Sequence, residues 1–459
     1  MSYKTQKLKY LCHIKGSFLY FTFYIKSMNE EEILTVLLDW NFWGKGLDTG
    51  IERKYYVERV QSLLNDVNIV PEIGIRRCGK SYIGRQVIKA RINKGLNKKS
   101  TLIIDLNDER FQKDNNILNT VYAAYRKNIN NGKKALVLID EPQEIEGWEK
   151  FVRGISERGE AKFIITGSSS KLLNSEFSTL LSGRHIPINI FPLSFVEFLI
   201  FKKINTSKKI DIAKNMLKIH SALDEYIFSG GFPAVVKADN KIEMLNSYLD
   251  TILVKDITSR YGIRRIEKLK VLSKFYLTNI SSSITYNSIS KFTKMPVKTI
   301  ERFSGFISNA FLLFFVPKFS FSLKEQENSA RKVYAIDTGI AVASGINTAL
   351  AKSALVENIV AVELKRRNRE FYYWKDSTTG KEVDFVVKNN ESYLLIQVSL
   401  AIESPDTMKR ETSALESAMK NFKEVEALLI TYSKPEKGVS DYITGKGIKI
   451  KQLWEWLLE

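Results

Sequence analysis

Residues 74–81 read Gly-Ile-Arg-Arg-Cys-Gly-Lys-Ser: two glycines, a lysine and a hydroxyl at fixed spacing. Gly74 and Gly79 let the backbone turn tightly, so successive N–H groups can converge on phosphate oxygens. Lys80 is placed to reach the β- and γ-phosphates of a nucleotide, and the Ser81 hydroxyl to ligate Mg2+. A following helix would add the positive end of its dipole. Arg76, Arg77 and Cys78 fill the loop, and Tyr82 follows it. The two arginines either add positive charge near the phosphates or form salt bridges elsewhere. Cys78 reads as a small loop residue, since no histidine lies near it in sequence.

A second set of polar residues ends the apolar run Leu136-Val-Leu-Ile-Asp140-Glu141. Beside a phosphate loop, Asp140 is expected to hold Mg2+ directly or through water, and Glu141 to orient and activate the attacking water. The run "FIITGSSS" ends in hydroxyls, where Ser168 or Ser169 either senses the γ-phosphate or belongs to an ordinary Gly-Ser turn. Arg184, in "LSGR", is either an arginine finger, acting within the chain or across a subunit boundary, or a surface arginine.

Short, nearly continuous apolar runs must position these residues. "VNIVPEIG" leads into the loop, and "STLIIDLND", "KALVLIDEP" and "AKFIITGSS" follow at intervals. Runs of this kind are buried parallel strands. Helical spacing over "EEILTVLLDWNF", "KYYVERVQSLLNDV" and "SYIGRQVIKARI" separates them. The alternation predicts an α/β fold, a parallel sheet with helices on both faces. The rhythm stops after "IFPLSFVEFLIF", and residues 206–262 read as helical, interrupted by "SGGFP" at 229–233.

The 459 residues predict about three domains. A formal net charge of +19 favours a polyanionic partner, either nucleic acid or an acidic membrane face, with a lysine-rich compositional bias as the alternative. The most apolar run, residues 18–25, is far short of the roughly 20 residues a spanning helix needs. Two cysteines, one of them in the phosphate loop, fit a cytoplasmic protein, and three scattered histidines form no zinc site. Met28 opens "MNEEEILTVLLDW", an acidic helix start, so residues 1–27 are expected to be a non-native extension.

Residues 285–319 carry two helical patterns, broken at Met295-Pro296, and then apolar "LLFFVPKF" and "RKVYAID" as a two-stranded wing. This predicts a winged helix whose second helix reads DNA, with Lys294, Lys298 and Arg302 on phosphates and Thr299 near a base edge. The alternative is a packing element.

"GIRRCGKS", "LVLIDEPQEIEGWEKFVRGI", "FIITGSSSKLL", "LSGRHIPINIFPLSFVEFL" and "SGGFPAVV", in this order, resemble a family of archaeal and bacterial AAA-type ATPases. The resemblance covers nearly everything from about residue 35 onward. It implies Gly74, Gly79, Lys80 and Ser81 for nucleotide, Asp140 for Mg2+ and Glu141 for water activation. It also implies a P-loop core at 28–205, a helical lid at 206–264, a winged helix at 265–345 and a domain at 346–459 similar to PD-(D/E)xK nucleases. Such nucleases need acids around Mg2+ and a nearby lysine. Glu357 and the strand Glu382-Val-Asp384 supply acids for a degenerate second metal site at Glu357 and Asp384, but Gln397-Val-Ser399 stands where Glu-x-Lys is needed. The expected function is Mg2+-dependent ATP hydrolysis coupled to DNA. The alternatives are a nucleotide-driven switch with a protein partner and, behind these, an ATP-dependent nuclease. The sequence leaves open whether the chain forms a homo-oligomer.

Overall fold

The strand that leads into the phosphate loop, at 69–73, and those at 101–105 and 135–140 are buried along their whole length, as largely apolar sequence requires. The computed structural model describes residues 5–14, 17–26, 28–44, 46–111, 114–169, 183, 185–345, 348–402 and 405–459. At the N-terminus β1 (Thr5–Ile14) pairs antiparallel with β2 (Ser17–Lys26). The helix Glu30–Trp40 follows, with its start fixed by a capping box between Asn29 and Glu32.

The first compact unit is organised around β3 (Ile69–Ile73), β4 (Thr101–Asp105), β5 (Ala135–Asp140) and β6 (Ala161–Gly167). These pair in parallel, and with β7 (Ile188–Asn189) the sheet runs in the order β4-β5-β6-β3-β7. The α/β class and the parallel sheet expected from the sequence are therefore present. Along the edge strand β4, Asn41 completes the hydrogen bonding by accepting from Ile103 N at 2.7 Å and donating to Ile103 O at 3.0 Å. The register sets Asp105, Asp140 and Thr166 side by side near the strands' carboxyl ends. Ligands bind at that end in open α/β sheets.

The second unit contains residues 74–79 and 168–171 together with everything from Asn189 onward. Its first part is helical: Lys209–Ser229, Lys241–Thr251, a π-helical stretch Ile252–Ser259 and Ile266–Thr278. Next come β8 (Ser283–Ile284), the helices Tyr286–Thr293 and Val297–Asn309, β9 (Leu313–Pro317) and β10 (Arg331–Ala335). β10 lies between β8 and β9, antiparallel to both, so a third short strand joins the two expected from the sequence. Lys294 breaks the helix pair in a left-handed conformation with φ +55°.

The last part begins with the helix Thr348–Arg366 and continues as a mixed sheet. β11 (Glu370–Lys375), β12 (Glu382–Asn389) and β13 (Ser392–Ser399) are antiparallel neighbours. β14 (Val425–Thr431) and β15 (Ile448–Gln452) extend the sheet in parallel. β15, with its alternating Ile-Lys-Ile-Lys, is half-polar. Among the described residues no helix is long and apolar enough to cross a membrane.

Candidate functional site

Residues 74–79 link β3 to the helix Lys80–Asn93. Gly74 is required by close approach, since a Cβ there would stand 2.0 Å from the carbonyl oxygen of Ile190. Cys78 is fully buried and its thiol donates to the same carbonyl at 3.3 Å, which suits a packed loop residue. Arg77 (φ +71°) and Gly79 (φ +103°) carry the tight turn. Arg76 is engaged in a bidentate pair, Nε and Nη2 each donating to Asp256 at 2.8 Å. Asp256 also accepts from the Ser168 hydroxyl at 3.0 Å and lies 3.8 Å from Arg260. Of the alternatives open for Arg76, the structure places it in the salt bridge, and Arg77 lies over the ring of Tyr248 at 5.4 Å.

The acids at the end of β5 form a connected group in the first unit. The Ser81 hydroxyl lies 2.7 Å and 2.9 Å from the two oxygens of Asp140. Thr166 donates its hydroxyl to Asp140 and accepts from the backbone N–H of Glu141 at 3.1 Å. Asn107 adds a bond to Asp140 at 3.3 Å. Lys80 Nζ is 3.8 Å from Glu141, which also accepts from Gln143. Glu141 holds φ +52°, a left-handed conformation that is uncommon outside glycine and is concentrated at functional sites. Tyr82 stands largely exposed, against Arg85, and Arg85 lies 3.5 Å from Asp105.

Burial, and then the charges of Asp105 and Glu141, push the Asp140 carboxyl up to about 6. Glu72, in β3, was not singled out from the sequence. It is fully buried, neither carboxyl oxygen has a hydrogen-bond partner among the described residues, and burial and the Asp140 charge hold it well above the carboxylate range. An acid inside the apolar run "IVPEI" was the available signal. A hydroxyl, a carboxylate and further nearby acids are an all-oxygen donor set suited to Mg2+. Their crowded negative charge is what a divalent cation would relieve. Arg184 lies outside the described residues.

The second set of acids is arranged differently. Lys332, on β10 and almost fully buried, puts Nζ 2.9 Å from Glu357, 2.8 Å from Glu382 and 3.1 Å from Asp384. Tyr334 donates to Glu357 at 2.7 Å. Gln397 donates to Glu411 at 2.8 Å and accepts from Asp384 N at 3.3 Å, and the Ser399 hydroxyl donates to Ala401 O at 3.2 Å. Glu357 and Asp384 do converge, but around an ammonium of the chain itself. This donor set does not fit a metal, because its cation position is filled.

Residues 68–199 match the family of AAA domains. Over 421 residues the chain is 32% identical to the uncharacterised protein MJ1544 of Methanocaldococcus jannaschii, covering 87% of this chain and 90% of that one. The chain belongs to the AAA-type ATPases. An uncharacterised Haemophilus influenzae protein is 28% identical to this ATPase over 417 residues, 89% of the chain and 99% of the relative. Residues 220–350 and 352–452 of the ATPase each match a family described as a domain of unknown function. Among solved structures, the Walker-type ATPase PABY2304 of Pyrococcus abyssi is similar at 14% identity and a TM-score of 0.42, over 64% of this chain and 96% of that one.

Proposed function

We propose that this ATPase hydrolyses ATP with Mg2+ and couples the hydrolysis to DNA association. The observation that carries the reading is the contact of the Ser81 hydroxyl with Asp140 at 2.7 Å, beside Lys80 and Glu141. Ser81 and Asp140 would hold Mg2+, which when bound offsets charge on the phosphate oxygens. Lys80 contacts the β- and γ-phosphates, and the backbone of 74–79 cradles the chain of phosphates. Glu141 orients the attacking water, steadied by Gln143, and Arg184 is the candidate finger residue.

The DNA part rests on the helix pair at 286–309. Lys294, Lys298 and Arg302 are exposed on or beside the second helix, and the short sheet β8-β10-β9 flanking the pair supports the reading of a wing. On this reading residues 28–205 are the core, 206–264 a lid, 265–345 a winged helix and 346–459 a nuclease-like domain. Lys332 argues against metal-dependent cleavage there, since an ammonium already occupies the position between Glu357, Glu382 and Asp384. The Asp256 bonds to Arg76 and Ser168 favour a second reading, a switch that acts on a protein partner through the helices around 252–259.

ATP hydrolysis measured with and without duplex DNA, alongside Lys80→Ala, separates the two. A Lys80-dependent rate that DNA raises several-fold supports DNA coupling. A Lys80-dependent rate indifferent to DNA supports the switch. A rate that survives Lys80→Ala removes the P-loop assignment altogether.

A further inference from the structure

The second unit contains a cavity of about 510 Å³ between residues 261–268 and the helix Val297–Asn309. Arg264, Arg265, Lys268 and Arg302 line it, and no acidic side chain does. Among the described residues none of these four cations forms an ion pair with a carboxylate. Uncompensated charge around a concave, low-dielectric wall focuses an attractive field on an anion. The aromatic side is equally specific. Tyr261 and Phe306 lie face to face, centroids 3.7 Å apart and planes 15° from parallel, and Asn309 fixes the phenol by donating to it at 3.3 Å. Both rings line the cavity and both are half-buried.

A ligand for such a site needs a planar face for the rings and negative charge for the rim. A nucleotide has both. An acidic peptide offers charge without the plane. A paired duplex keeps its base faces against neighbouring bases, so it can offer this cavity only phosphates. The volume lies within the roughly 300–1,000 Å³ of small-ligand pockets, too small for duplex but ample for one nucleotide. We propose that this cavity binds an unpaired nucleotide of a DNA strand, its base on the Tyr261–Phe306 platform and its phosphates on Arg264, Arg265, Lys268 and Arg302. The proposal rests on the DNA reading given above and specifies the form of DNA.

The test is fluorescence anisotropy with labelled oligo(dT), a blunt duplex of the same length, polyglutamate and dTMP as competitors, on the full chain at near-physiological salt. Oligo(dT) should bind at least about tenfold tighter than the duplex, because stacking contributes about 1–3 kcal/mol per base, about 5- to 150-fold. Tyr261→Leu should remove that advantage and leave duplex affinity in place. Arg264→Ala with Arg265→Ala, both exposed positions, is the second variant. It should weaken oligo(dT) binding and shrink the salt slope by roughly 1.4, two contacts at about 0.7 each. Equal or tighter duplex binding, or indifference to both variants, would overturn the proposal while leaving DNA association standing. Polyglutamate competing as well as unlabelled oligo(dT) would also overturn it, as would dTMP binding as tightly as the strand. Absence of binding to either DNA form would overturn both this proposal and the DNA reading.

Discussion

Replacing Lys332 with methionine keeps most of the side chain's volume and removes its charge. Among the described residues Glu357 and Asp384 would then lose their cation and Glu382 would keep only Lys375 at 3.0 Å, their side chains 14%, 10% and 27% exposed. Removing one partner of a buried ion pair costs about 3–5 kcal/mol, because the remaining charge is left uncompensated. At 2–4 °C per kcal/mol this lowers the melting temperature by roughly 6–20 °C. The loss depends on pH. Burial, and then the charge of Asp384, already raise Glu357 to about 8, and Lys332 acts in the opposite direction. A raised acid pKa means the folded state binds more protons than the unfolded one, so stability falls as pH rises towards about 8. The variant should therefore melt near the wild type at acidic pH and well below it at pH about 8. Without Lys332 the three acids also become a site for a divalent cation. Mn2+ at about 100 times its dissociation constant should return about 2.7 kcal/mol. Adding Asp384→Asn should abolish that rescue. Calorimetry of wild type, Lys332→Met and the double variant, with and without Mn2+, is the assay. A Lys332→Met protein that melts like the wild type at pH about 8, or that gains no more from Mn2+ than the wild type, would refute the reasoning.

Glu141→Gln should keep ATP binding and lower turnover by about 10²–10⁴, read by comparing nucleotide affinity with steady-state hydrolysis. Mn2+ affinity in the presence of nucleotide should fall as pH drops through about 6, because Asp140 must lose its proton to ligate. The sign for the metal-free protein is opposite. With Asp140 raised from 3.8 to about 6, its contribution to stability is greatest below about pH 4 and declines as pH rises through 6, a trend visible in melting curves. Gly230→Ala should destabilise by about 3 kcal/mol or more, or prevent folding. Its φ is +69° and its Cβ would stand 1.9 Å from the Asp337 carboxylate, so thermal melting reads the effect directly.

The parts of this molecule legible in the sequence are those whose causes are local. Continuous apolar runs announce β3 to β6, because a strand buried on both faces has no polar alternation to hide it. Gly74 to Ser81 and Asp140-Glu141 are legible for the same reason: loop geometry and a strand end are properties of a few consecutive residues. The contacts that tie these pieces to others are not local. Arg76 and Asp256 are 180 residues apart, and Lys332 and Asp384 are 52 apart. "SGGFP" reads as a mere interruption of helix until Asp337, 106 residues on, is seen accepting from Gly231 N at 2.7 Å. Lys332 alternates with Val333 in an ordinary strand pattern, and nothing beside it in sequence tells that its side chain is buried among acids.

Asp256 gives the phosphate loop a correspondent elsewhere in the chain. The same carboxylate accepts from Arg76 inside the loop and from Ser168 after β6, and it belongs to the stretch Ile252–Ser259. Thermodynamic linkage is reciprocal. If a nucleotide that engages Arg76 or Ser168 loosens these bonds, a ligand that shifts Ile252–Ser259 must alter nucleotide affinity by the same factor. Couplings of about 1–3 kcal/mol correspond to about 5- to 150-fold. A partner of these helices would thus alter how tightly nucleotide binds without ever touching it. An unknown partner could be recognised in the same way, by the change it makes in a nucleotide titration.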